Sequence, residues 1–123
     1  VADKANSGVV SQPVKFQEGE QNQPWFLTVR IQADPVVKGS FGASLYALDA
    51  DGRELKQITL YSLGTGKEQP WKVRRFRFGP GTPKPLPEGT AGFAVRFSFW
   101  DAQGDPSGTA RVTDVSVTPV PAP

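Results

Sequence analysis

Short runs of alternating apolar and polar residues organise this chain, and no helical period competes with them. Trp25–Ala33 carries the pattern most clearly. Trp25, Leu27, Val29, Ile31 and Ala33 fall on one side of an extended strand, and Phe26, Thr28, Arg30 and Gln32 on the other. Residues 91–100 repeat it, with Phe93, Val95, Phe97 and Phe99 inward and Ala94, Arg96, Ser98 and Trp100 outward. No run of about 11 residues free of Gly and Pro holds apolar positions at helical spacing. Turn residues interrupt the strands at regular intervals instead, which predicts an all-β antiparallel sandwich of seven to eight strands in two sheets.

The other strands follow from the same reading. Residues 9–16 form one that breaks near Pro13. Residues 41–48 and 55–61 form a hairpin closed by Asp49-Ala50-Asp51-Gly52, where Gly52 provides the positive φ of a tight turn. Residues 64–70 read as a loop. Residues 71–78 make a strand with an irregular start, Phe76 and Phe78 inward and Arg75 and Arg77 outward. Residues 79–89 hold Pro80, Pro83, Pro85 and Pro87 and read as a long loop, and 101–108 as a turn. In residues 109–117, Ala110 and Val112, then Val115 and Val117, all face inward if a bulge near Thr113 shifts the phase by one residue. Residues 1–8 read as a tail and 9–117 as the module. Residues 118–123, spaced by prolines, read as the start of an extended linker to another domain. The lack of Met anywhere, position 1 included, fits a module processed or excised from a longer chain.

Composition narrows the chemistry. The 123 residues suffice for one domain with a real core, and 13 Gly with 12 Pro explain the many turns. With no His and no Cys there is no serine- or cysteine-type triad, thiolate nucleophile, disulfide framework or zinc ribbon. The carboxylates sit mostly in turns and tails, so no acid/base pair is fixed on strand interiors, and the domain is expected not to be an enzyme. The net charge of +2 is too small for a nucleic-acid-binding signature, and no apolar run reaches a membrane span. Nucleic acid and membrane are therefore not expected partners.

The candidate binding chemistry lies in outward-facing side chains. Asp49 to Glu54 resembles the opening of a calcium loop, but the distal ligands do not follow and a hairpin turn explains it. The basic run Lys72, Arg74, Arg75 and Arg77 suits an anionic polymer or a solvated strand face. Trp25 is in step with the core, and Trp71 is expected to cap it. Trp100 is out of step with its inward neighbours and suits a sugar-stacking platform or a packing site under a loop. Phe26 poses the same question, and Tyr46 and Tyr61 are further amphipathic candidates.

The ordered set of patterns resembles the β-jelly-roll carbohydrate-binding modules of the family 4, 9 and 22 type, which are appended to secreted polysaccharide hydrolases. WFLTVRIQA looks like their third-strand pattern and LYALDADGREL like their Asp-x-Asp-Gly hairpin. Trp71, Phe76 and Phe78 look like their Trp-then-aromatics strand. The segment from Gly108 to Val117 looks like their closing strand. The resemblance covers residues 9–117. It implies a non-catalytic module, extracellular or on the cell surface and monomeric within a larger chain, that holds a polysaccharide for an attached glycoside hydrolase. The alternative is a β-sandwich spacer or protein-interaction domain of a multimodular extracellular protein. The ligand-binding candidates are Arg30, Gln32, Arg75, Arg77, Arg96, Ser98 and Trp100, where Arg and Gln bond sugar hydroxyls and Trp covers the apolar ring face. Arg30 stands where the family often places an outward aromatic. No cofactor is required. The family's structural calcium site would fall on Asp114, with Thr113 in place of an adjacent acid.

Overall fold

The computed structural model describes residues 7–10, 13–104 and 106–120. They form an antiparallel β-sandwich with eight strands: β1 (Ser7–Val10), β2 (Val14–Lys15), β3 (Trp25–Ala33), β4 (Ser40–Leu48), β5 (Glu54–Leu63), β6 (Gln69–Phe78), β7 (Gly92–Trp100) and β8 (Ala110–Pro119). One sheet runs β1-β7-β4-β5, with β2 also on β7; the other runs β6-β3-β8. β1 and β2 occupy one edge in two pieces, opposite Phe99–Arg96 and Phe93–Gly92 respectively. The break expected near Pro13 is thus present. From β3 onward the chain passes repeatedly between the sheets, and only β4 and β5 are joined as a hairpin within one sheet. This is a jelly-roll path.

Alternation produces the core directly. Trp25, Leu27, Val29, Ile31 and Ala33 of β3 are all buried against Phe41, Ala43, Leu45 and Ala47 of β4 and Phe93, Val95 and Phe97 of β7. Aromatic rings fill one end. Phe93 meets the edge of Trp25 at 5.1 Å and of Phe78 at 5.1 Å, while Phe16 stacks on Trp25 at 5.8 Å. Such pairs add roughly 0.5–1.5 kcal/mol each beyond the area they bury. The Trp25 indole N–H lies in this cluster with no acceptor among the described residues. The β4–β5 turn is tied by Asp49, whose Oδ1 accepts from the N–H groups of Asp51 and Arg53, both at 2.9 Å, and Gly52 adopts φ 82°. The Asp49 carboxylate therefore serves the hairpin.

Some expectations need correction. β6 begins at Gln69 within the expected loop, because Gln69 pairs with Ala33 across an irregularity between Ile31 and Ala33. Pairing with β3 is regular from Phe78 to Lys72, so Trp71 keeps the outward phase of Val73, Arg75 and Arg77; it is 44% exposed and does not cap the core. The bulge expected near Thr113 is present, at Asp114 and Val115 opposite Val29, with Asp114 at φ 54°. Val112 and Val117 reach the core, but Val115 stays 45% exposed. The residues read as tails also contribute: Ser7 and Gly8 belong to β1, Thr118 and Pro119 to β8, and the Val120 N–H donates to the Pro24 carbonyl at 2.8 Å. The rest of those two segments, residues 1–6 and 121–123, lies outside the described residues.

Candidate functional site

The sandwich has two outer faces, and the strand assignment divides the predicted binding residues between them. Arg96, Ser98 and Trp100 are on β7, in the five-stranded sheet. Arg30 and Gln32 of β3 and Arg75 and Arg77 of β6 are in the three-stranded sheet, on the far side of the core. The seven residues do not converge.

The five-stranded sheet carries a groove of about 240 Å³ on its outer face. Its shape follows from the register. Trp100 of β7 lies opposite Ser40 of β4. Ser98 lies opposite Gly42, which lies opposite Ser62 of β5. Arg96 lies opposite Ser44, which lies opposite Thr59, and Ala94 opposite Tyr46, which lies opposite Gln57. The row of Ser98, Gly42 and Ser62 has no large side chain and forms a low floor. Larger groups rise on either side: Trp100 at one end, 50% exposed, and the Arg96–Tyr46 pair at the other. Alternate residues of a strand are about 7 Å apart, so Trp100 and Arg96 stand roughly 13 Å apart along β7.

The floor cannot be filled without moving backbone. A Cβ on Gly42 would lie 2.5 Å from the Tyr61 carbonyl oxygen, because the irregularity between Ala43 and Ser44 brings β5 close at that point. Polar groups along the groove are held by one another. Arg96 Nη1 donates to Tyr46 Oη at 3.1 Å, and Gln57 Nε2 donates to Ser44 Oγ at 3.4 Å. The Trp100 end is anchored from outside the sheet. Gly39 passes so close that a Cβ there would lie 2.2 Å from the Trp100 carbonyl oxygen, and the Lys38 ammonium pairs with Asp101 at 3.8 Å. Lys38 and Ser107 also form a bridge between their loops. The backbone beneath Trp100 is thereby fixed on both flanks.

The groove offers hydroxyl and amide groups beside an aromatic plate, with the Arg96 guanidinium on the neighbouring Tyr46, and among the described residues no carboxylate lines it. Such a surface can stack on a ring and hydrogen-bond a polar rim, but it holds no proton donor or acceptor of the carboxylate kind. Among the described residues Tyr61 has a shifted pKa. Burial raises it and the Arg74 guanidinium partly offsets that rise. Its ring faces the core beside Phe76, with its hydroxyl donating to Gln69 Oε1 at 3.2 Å. Tyr61 is a core residue whose backbone carbonyl borders the groove floor at Gly42.

Metal binding finds little support in the donor set. Asp114 sits exposed on the β8 bulge, and among the described residues no group of three or more acidic side chains gathers anywhere. A calcium ion takes six to eight oxygens, usually with several carboxylates, and Asp114 does not supply that cage.

Sequence reasoning placed Arg96, Ser98 and Trp100 together because they are alternate residues of one strand. It marked Tyr46 only as a further amphipathic candidate, and it missed Ser40, Gly42, Ser44, Gln57, Thr59 and Ser62. A usable signal lay in β4, whose outward positions 40, 42 and 44 are all small while its inward ones are apolar.

Comparison with protein-family models and with curated proteins finds no match to this chain. The functional reading therefore rests on the geometry.

Proposed function

We propose that this domain is a non-catalytic carbohydrate-binding module, and that the groove of the five-stranded sheet is its sugar site. The observation that carries the proposal is a half-exposed Trp100 at the end of a floor made of Ser98, Gly42 and Ser62, with Arg96, Tyr46 and Gln57 beyond it. A sugar ring pairs an apolar face of C–H groups with a rim of hydroxyls. Trp100 covers the face, and Ser, Gln and Arg groups bond the rim. The groups stand on strands, so little conformational freedom is lost when a glycan binds. Among the described residues no carboxylate lines the groove, which supports binding without cleavage. In this reading the module is extracellular and monomeric within a larger chain. It raises the effective concentration of an attached polysaccharide hydrolase at its substrate.

Affinity electrophoresis against a panel of soluble neutral plant and microbial glycans tests the proposal, with Trp100→Ala run alongside. Burying about 60 Å² of indole against a sugar at about 25 cal/mol per Å² gives about 1.5 kcal/mol, or roughly tenfold in affinity. One glycan class should retard the native domain and lose about that much in the variant. No retardation by any glycan would favour the spacer or protein-interaction reading. Retardation unchanged in Trp100→Ala would move the site away from the groove.

A further inference from the structure

The opposite face of the sandwich has a different chemistry. On the three-stranded sheet Arg77, Phe26 and Thr118 form one row, Arg75, Thr28 and Ser116 the next, and Val73, Arg30 and Thr113 the third. Gln32 and Arg111 follow at the end where Trp71 turns out. Arg30, Arg75, Arg77 and Arg111 are all exposed, and among the described residues none has a carboxylate within ion-pair distance. Asp34 touches this group only through Gln32. Arg111 Nη1 donates to Gln32 Oε1 at 2.6 Å, and Gln32 Nε2 donates to Asp34 Oδ1 at 2.9 Å. Asp114, on the β8 bulge, is the other acidic side chain of this sheet, and it too forms no ion pair with these arginines.

Two of the guanidiniums are held in place. Arg30 lies over the Trp71 ring at 5.0 Å, and Arg75 over the Phe26 ring at 4.9 Å. A guanidinium laid on an aromatic face still has its N–H edge available for a planar anion, and less freedom remains to be lost when it binds one. Protection of sheet edges would explain Arg75, Arg77 and Arg111, on the edge strands, but not the whole arrangement. That role needs charge on the edge strands β6 and β8, whereas Arg30 is on the central strand β3.

We propose that this face is a second glycan surface, separate from the groove, and that it binds a polysaccharide bearing carboxylate groups. Charge complementarity points to a polyanion. The guanidinium fork matches a carboxylate in bidentate fashion, and Thr28, Thr113 and Ser116 lie between the arginines to bond sugar hydroxyls. A single-stranded nucleic acid would need open aromatic faces for its bases. Here each of the two rings, Trp71 and Phe26, already has a guanidinium against it. The face thus recognises charge and hydroxyls, while the groove recognises a neutral ring. The two surfaces look away from each other across the core, so one module can bridge two chains of a mixed polysaccharide.

Calorimetric titration with size-defined oligogalacturonates tests the proposal, at about 50 mM and about 300 mM salt. The native domain should bind the acidic oligomer at low salt and weaken at least tenfold at high salt. The triple variant Arg30→Gln, Arg75→Gln, Arg111→Gln should lose at least tenfold at low salt. Trp100→Ala should stay within twofold of native. Arg77→Glu, a single exposed change, provides a second variant with the same direction of effect, and melting curves identify any variant that has unfolded. Failure of the native domain to bind the oligomer would overturn the proposal. So would binding retained by folded arginine variants, or an oligothymidylate of equal charge binding as tightly. Binding lost in Trp100→Ala would overturn the separateness of the two surfaces. Retardation by neutral glycans reports on the groove alone, so the two proposals fail independently.

Discussion

Gly42→Ala tests whether the groove floor is built as described. The added methyl would stand 2.5 Å from the Tyr61 carbonyl oxygen, about 0.9 Å inside ordinary contact. That oxygen is backbone, so no side chain can swing aside; β5 must move relative to β4, or the bulge that sets their register must relax. Overpacking of this kind costs about 1–3 kcal/mol. For a chain of this size each kcal/mol shifts Tm by about 4 °C, so the variant should melt about 4–12 °C below native. Gly64→Ala is the control. Gly64 has a backbone conformation open to other residues, and a Cβ added there would meet no atom within 4 Å, so the change should stabilise by about 0.4–1 kcal/mol. Urea titrations followed by tryptophan fluorescence would give both free energies, with an unchanged m-value as the check that only stability has moved. The Gly42 methyl also raises the floor, so glycan affinity should fall in the folded variant while Gly64→Ala binds as native. A Gly42→Ala protein as stable as Gly64→Ala would refute the close approach of β5 and the bulged register on which the groove depends.

Two further substitutions test the core. Tyr61→Phe should change the alkaline limb of stability. The Tyr61 pKa is raised in the fold by burial, so the neutral phenol is favoured there, and stability is complete below the ordinary tyrosine pKa of 10.0 and falls as pH rises through the higher folded value. Denaturant titrations should therefore show a shallower loss of stability above about pH 10 in Tyr61→Phe than in native protein. An equal slope in both would contradict the assignment. Trp25→Phe removes the buried indole N–H that has no acceptor among the described residues, so the lost volume is partly offset. The cost should be about 1 kcal/mol, well below the roughly 3–5 kcal/mol of Trp25→Ala, and equal costs by urea titration would contradict this account of the site.

The fold was legible wherever alternation ran unbroken. In β3 and β7 every inward residue follows from period two, because a half-buried strand needs no tertiary information to say which side is wet. Legibility ended at the irregularities. Trp71 is a large apolar side chain next to Pro70, and an irregular strand start that turns it to the core is its natural expectation; pairing with β3 instead stays regular from Phe78 to Lys72, and Trp71 keeps the outward phase of Arg75 and Arg77. β8 shows the same limit more mildly, since the bulge anticipated near Thr113 is present but Val115 stays exposed beside it.

The site was legible one strand at a time. Alternation says whether a residue points in or out, but not which of two outward faces it reaches. Arg30 and Arg96 have the same phase and lie on opposite sides of the molecule, because the assignment of strands to sheets depends on long-range pairing. The residues that complete the groove are small and polar, and they become distinctive only when β4, β5 and β7 lie side by side. Gly42 is a clear example, since its role depends on a carbonyl oxygen contributed by Tyr61 from the neighbouring strand.

The most direct test of the groove is an amide and indole NMR titration with a glycan that retards the domain. The account predicts that shifts concentrate on the Trp100 indole N–H and the amides of Gly42, Ser62 and Ser98, and fade across the core to β3. Shifts centred on Trp71 and the arginines of the opposite sheet with a neutral glycan, or spread over loops with the groove silent, would contradict it.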